Sequence, residues 1–338
     1  MRNSFLSIVE FEFLKSNLLS TSLFVLLMAL SISCKSGFET TSKEGILMNN
    51  TIFLFLATLF CWSPTWYIIK FQLGVVDPLV SVFYRFFLAA IILIIFCYFK
   101  NIKFNFTLKN HFYICLLGVL LFNINYVLFY ISTQYLISGL VCLCFSALLL
   151  MNIFNYFIFY KEKPSLMTVF SSAFGLIGLV IIFNEEIFNF DYKTGTSFGI
   201  LVGLIATYIA SLGNIVSIKN SKDKLNVISV NALAMLYGSI SLFIFLVITK
   251  SSFNFEITTA YISSLLYLSV FGSVLGFSFY LTLIKNIGPN NGSYISVIMP
   301  LMALIISTYF ENLEWTFTLI FGGLLILIGN FFIIKSSN

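Results

Sequence analysis

Apolar positions along this chain fall into ten long runs, roughly residues 51–69, 78–98, 112–131, 136–159, 166–183, 196–218, 226–249, 260–284, 292–310 and 315–334. Each approaches or exceeds the ~20 residues a helix needs to cross a bilayer core. Lipid offers no partner to backbone N–H and C=O groups, and a helix satisfies them within one segment. The pattern therefore predicts ten transmembrane helices, split five and five by an acidic link at Glu185 and Glu186. With an odd number of spans per half, a second half that repeats the first lies upside down in the membrane, an arrangement common in secondary transporters. The expected fold is an all-α integral membrane protein of ten spans in two inverted five-helix repeats, residues 48–188 and 189–338, behind a leader of residues 1–47.

Polar positions interrupt the runs with a helical rhythm. In the third run Asn123, Tyr126, Tyr130 and Gln134 recur at steps of 3, 4 and 4 and share one face. The fourth run offers Asn152, Asn155 and Tyr156, the sixth Tyr208, Ser211 and Asn214, and the ninth Asn291 and Tyr294. Polar groups in lipid are costly, so these faces are expected to turn inward, either lining a cavity or bonding helix to helix. Trp62, Ser63, Pro64 and Thr65 interrupt the first run near its middle, and Pro300 interrupts the ninth. Proline removes a helical hydrogen bond, and freed carbonyls at a break can serve a substrate or mark a packing kink. Gly199/Gly203 and Gly272/Gly276 are spaced for close helix approach.

Composition fixes the solvent. Of 338 residues, 59% are hydrophobic and 9% charged, against about a quarter charged in soluble domains. The six cysteines lack metal-ligand spacing and read as small packing residues, and His111 reads as interfacial. With the start of the first span placed inside, the inner loops hold ten lysines and the outer loops Lys70, Lys193 and Lys250. The positive-inside rule then puts both ends of the ten-span body in the cytoplasm. Residues 18–33 form a further apolar run. As a signal peptide or an eleventh span it would invert all ten helices against the lysine bias. Translation from Met48 removes the conflict, with residues 1–47 as an extension; a leader that does not span is the next reading.

Charge inside the spans is sparse. Arg85 lies seven residues beyond Pro78, ~10 Å deep at the helical rise. It reads as a gate or counter-charge for an anionic group, or as a structural arginine reaching the headgroups or Asp77. No Asp or Glu sits mid-span, so proton or sodium coupling has no obvious buried carboxylate. Glu162 and Glu314, at helix ends, are gate or turn candidates.

The halves echo one another. Gly139 to Glu162 and Gly292 to Glu314 span 23 and 22 residues, and Glu162 to Gly178 and Glu314 to Gly329 span 16 and 15. Together with Trp62-Ser63 through Lys70, Pro78 with Tyr84-Arg85-Phe86-Phe87-Leu88-Ala89, Lys161-Glu162-Lys163-Pro164, and Gly292 through Pro300, this order resembles the EamA family of the drug/metabolite transporter superfamily over about residues 48–336. The resemblance implies a ten-helix carrier of small metabolites. Two departures stand out. Ser146-Ala147 replaces the family's proline in the fourth span, which argues against both halves breaking at one point. The acid after the ninth span is either Glu311 or Glu314.

The expected function is alternating-access transport of a small metabolite (an amino acid, a nucleotide-related compound or a drug-like amphiphile) across the bacterial inner membrane. A partner subunit of a lipid-translocating complex is the alternative. A membrane-embedded enzyme fits less well, because the spans lack acid–base groups. No cofactor, metal or nucleic acid is expected. The partners are substrate and membrane lipids, with a homodimer left open.

Overall fold

A computed structural model describes residues 43–161, 163–185, 195–223, 225–280, 282–283 and 294–336. Every regular element among them is a helix. They are labelled α1 (Thr51–Gln72), α2 (Pro78–Phe99), α3 (Leu108–Thr133), α4 (Ser138–Tyr160), α5 (Leu166–Ile182), α6 (Gly195–Asn220), α7 (Val227–Ile248), α8 (Thr259–Tyr280), α9 (Tyr294–Glu311) and α10 (Phe317–Ser336). Seven are long and apolar enough to cross a membrane; α5, Ile298–Glu311 of α9 and Phe317–Gly329 of α10 are shorter apolar stretches. The extension of α1 back to Lys43 is also helical, and residues 1–42 lie outside the described part.

The surface is inside out relative to a soluble protein. Phe87, Ile91 and Ile95 on α2, Phe170, Phe174 and Ile177 on α5, and Phe321, Leu324 and Ile328 on α10 are exposed, while Arg85, Asn125, Asn155, Thr207 and Ser211 are buried. Continuous apolar faces of this extent require a lipid surround. Helix starts are satisfied locally. The Asp77 carboxylate accepts from Leu79 N at 2.8 Å, with Pro78 at the first helical position. Thr107, Ser165, Asn226 and Thr258 cap α3, α5, α7 and α8 in the same way.

Packing pairs the halves. Helix α2 lies on α7, α4 on α9 and α5 on α10; α3 packs on α6 and α7, and α8 on α1 and α2; α6 meets α4, and α1 meets α9. Exchanging α1–α5 with α6–α10 turns each of these contacts into another of the set. Glycines set the closest approaches. A Cβ on Gly178 would sit 2.5 Å from Gly322 O, and one on Gly329 2.6 Å from Ser171 O, so α5 and α10 touch backbone to backbone. Gly118 of α3 and Gly238 of α7 meet the same way, a Gly238 Cβ falling 2.5 Å from Gly118 O.

Four helices are irregular. The α1 helix stops at Trp62 and restarts at Thr65, as Pro64 requires. Helix α4 also breaks, between Ser146 and Leu148, although no proline is present. The missing proline argued against this break. Ser146 Oγ bonds back to Leu143 O at 2.6 Å and Thr207 of α6 takes Cys144 O at 3.2 Å, drawing carbonyls out of the ladder. Helices α3 and α8 each carry a π-helical stretch, Leu120–Ile124 and Leu268–Leu275.

Candidate functional site

Helices α1, α3, α4, α6, α8 and α9 enclose a cavity with about 840 Å³ of space free of atoms, its opening included. These six are three exchange pairs of the two halves. Trp62, Thr65 and Trp66 line it from α1, Asn125, Tyr126 and Phe129 from α3, Asn214 from α6, Phe277 and Tyr280 from α8, and Met299 from α9. None of its lining residues is Asp, Glu, Lys, Arg or His. The wall is thus an aromatic box with a few amide and hydroxyl groups, suited to a small molecule with an apolar body.

The break in α1 shapes one wall. Trp62 Nε1 donates to Gly272 O at 3.0 Å, and its ring meets Phe277 and Tyr280. The two carbonyls at the break are not left for substrate. Thr65 Oγ1 donates to Trp62 O at 2.5 Å, and Tyr267 of α8 reaches Phe60 O, the acceptor that Pro64 leaves without its N–H, at 3.4 Å. Ser63 is buried beside them.

The expected stripe on α3 is split. A regular 3.6-residue period puts Asn123, Tyr126, Tyr130 and Gln134 on one face. The π-helical turn at Leu120–Ile124 holds an extra residue and rotates what precedes it. Asn123 is thereby turned to α7, where its amide donates to Ser241 Oγ at 2.8 Å, and Gln134 is exposed. Asn125, Tyr126 and Phe129 face the cavity instead. Asn125→Ala is expected to weaken substrate affinity, while Asn123→Ala leaves it within about twofold. Transport KM, normalised to membrane abundance, checks this.

Arg85 is 1% exposed and does not reach Asp77 or the surface. Its Nε donates to Ser273 Oγ at 3.1 Å and Nη1 points to Tyr130 Oη at 3.5 Å. The guanidinium lies 4.6 Å from the Tyr126 ring and 5.1 Å from the Phe86 ring. Tyr130 passes the network on to Gln72 Oε1 at 2.8 Å. No carboxylate forms an ion pair with Arg85 among the described residues. Arg85 therefore sits behind Tyr126, one ring away from the cavity.

On α4 and α6 the predicted amides mainly join helices. Asn155 Nδ2 donates to Ser211 Oγ at 2.8 Å and Asn214 Nδ2 to Asn152 Oδ1 at 3.3 Å. Of these, Asn214 lines the cavity; Tyr208 is 38% exposed on the outer face, a correction to its expected inward position. One residue of drift over the long α6 places Thr207, not Tyr208, inside. Pro300 is buried within an unbroken α9, beside the cavity residue Met299, and of Tyr294 the backbone alone is described.

At the end of the molecule where α1 and α9 finish and α4 begins, Lys70 forms an ion pair with Glu311. Glu314, the candidate at this position, is exposed. Helix α9 ends on Glu311, and Asn312 at φ 54° turns the chain outward, carrying Glu314 off the bundle. Glu162 lies outside the described residues.

The sequence profile of the EamA-like transporter family matches twice, over residues 49–184 and 197–335. The chain belongs to this family. Similar proteins include an uncharacterized transporter of Clostridium kluyveri, 28% identical over 77% of this chain and 84% of that protein. They also include the uncharacterized transporter YoaV of Bacillus subtilis, 25% identical over 80% and 91%, and the protein PagO of Salmonella typhimurium, 23% identical over 76% and 83%. A crystal structure covering 84% of this chain, at 12% identity and a TM-score of 0.62, shares the fold. As an EamA-like transporter, the chain is a multi-pass membrane protein.

Within this EamA-like bundle, sequence reading missed Trp66, Asn125, Gln72 and Ser273, and held Glu311 only as the alternative to Glu314. Trp66 lay one turn past the break and Asn125 one residue past the π-helical turn. Gln72 and Ser273 became visible through Arg85. The alternative between Glu311 and Glu314 was the one signal that pointed to the ion pair.

Proposed function

We propose that the chain is a secondary transporter that carries a small metabolite across the bacterial inner membrane by alternating access between two inverted five-helix halves, with both ends of the ten-span body in the cytoplasm. The observation that carries this reading is the uncharged aromatic cavity walled by α1 and α6, α3 and α8, and α4 and α9, matching helices of the two halves. Such an interface can rock about a substrate so that one end closes as the other opens. The Lys70–Glu311 pair lies at the end assigned to the outside by the lysine bias, so the conformation described is shut there.

Purified protein in lipid vesicles tests the reading. Protein-dependent, saturable uptake or counterflow is expected for a member of a panel of amino acids, nucleosides and amphiphilic amines. Rates equal to empty vesicles across every class, with folded protein, overturn it. Reporter fusions in loops 100–109 and 219–224 are expected in the cytoplasm and at 186–193 in the periplasm; the opposite signals would remove the inverted-repeat topology.

A further inference from the structure

We propose that the Lys70–Glu311 pair, with Ser138 and Ser307, is a lock that holds the outer end of the pathway shut and parts each time that end opens. The inference rests on the alternating-access reading above. It assigns the role to residues that touch neither the cavity wall nor each other in sequence.

The Glu311 side chain is 4% exposed. Its carboxylate is held from both halves of the chain. From the first half come Lys70 Nζ, at the end of α1, and the N–H and hydroxyl of Ser138, at the start of α4; the N–H lies 3.1 and 3.2 Å from the two oxygens. From the second half, Ser307 Oγ lies 2.7 Å from Glu311 and accepts from Gly139 N at 2.8 Å. The carboxylate thus closes an ion pair and caps the N-terminus of α4, where the helix dipole favours negative charge. Moving α1 and α4 away from α9 requires the contacts of Glu311 with Lys70 and Ser138, and of Ser307 with Gly139, to break together, while Ser307 stays bonded to Glu311 within α9.

The two partners are unequal. Lys70 is 34% exposed and can withdraw its ammonium into water or headgroups when the pair parts. Buried Glu311 cannot, so its charge must meet water through the opening itself. The same short turn, Ile69–Gln72, carries both Lys70 and Gln72, the latter bonded to Tyr130. Displacing it pulls on the Arg85 network as well as on the lock.

The opposite end is built differently. Lys219, at the end of α6 and therefore the match of Lys70, pairs with Asp223 in the turn just past that helix at 2.6 Å, both about one-third exposed at 32% and 31%. That pair spans no boundary between halves. Among the described residues, Lys70–Glu311 is the ion pair that does.

The test uses the full chain with its six cysteines replaced and Ile69→Cys as reporter. Ile69 is 2% exposed, lines the cavity and sits beneath the lock. Intact cells are treated from outside with a membrane-impermeant maleimide, after reporter fusions have fixed the orientation. Lys70→Met and Glu311→Gln are each expected to speed labelling by about fivefold or more, the lower end of usual coupling strengths. Glu311→Gln should exceed Lys70→Met, because it also removes the charge that caps α4. Unchanged labelling in both overturns the lock. If Glu311→Gln fails to reach the membrane, Lys70→Met decides alone, since it leaves Glu311 held by Ser138 and Ser307. Labelling needs no substrate. Faster labelling without uptake of any metabolite would count against the transporter reading and for the lock; unchanged labelling with intact uptake sinks the lock alone.

Discussion

Arg85→Met is expected to cut transport by at least about tenfold while the protein reaches the membrane at normal abundance and melts at an equal or higher temperature. The sign follows from what surrounds the side chain. Arg85 is 1% exposed with hydroxyls and aromatic rings around it, and no ion-paired carboxylate among the described residues. An intramembrane cation is expensive even on lenient insertion scales, about 3 kcal/mol. Replacing a whole buried ion pair or triad by apolar chains is often neutral or stabilising by about 1–4 kcal/mol, and Arg85, with no carboxylate partner to strand among the described residues, has no pair to break. A residue kept for stability would show the reverse. Arg85→Lys should recover part of the activity, because lysine keeps the charge but not the planar fork that reaches Ser273 and Tyr130 together. Uptake per unit of protein and thermal unfolding in detergent measure the two effects separately. Full activity at normal abundance would reduce Arg85 to packing, and parallel loss of abundance and uptake would make it a folding residue.

Gly118→Ala should lower thermal stability by about 1–3 kcal/mol, as overpacking does. A methyl at Gly118 would fall on Ala234 O and within 2.9 Å of Gly238 N, both backbone atoms that cannot swing aside. Gly238→Ala should behave alike, since its methyl would lie 2.5 Å from Gly118 O. The two substitutions press on one contact, so the double variant should lose less than the sum of the singles. Gly323→Ala is the control. Nothing lies within 4 Å of its Cβ position, and alanine favours the helix by about 0.5–1 kcal/mol. Stability equal in Gly118→Ala and Gly323→Ala would mean that α3 and α7 are not in backbone contact.

Helix positions were legible because lipid imposes long apolar runs. The run at 78–98 became α2, Pro78–Phe99, and the run at 226–249 became α7, Val227–Ile248. Side-chain direction was less legible, because it depends on a constant helical period. One π-helical turn exchanged Asn123 for Asn125 at the cavity. The break in α4 was hidden because side-chain hydroxyls, rather than a proline, take up its carbonyls. The choice between Glu311 and Glu314 turned on where α9 stops, a matter of three residues that hydropathy does not resolve. Arg85 was legible at once, since a charge in an apolar run is conspicuous; its neighbours from α8, 188 residues away in sequence, were not.

The extra residue in α3 has a match. The π-helical stretch begins 12 residues into α3, and the one in α8, its counterpart in the other half, begins 9 residues into that helix and runs past the same depth. An insertion lengthens a helix by one residue and is usually lost, because it swings everything beyond it by about 100°. In both helices the residues before that depth are therefore turned relative to those after it, so a face read from one end of α3 or α8 does not continue to the other.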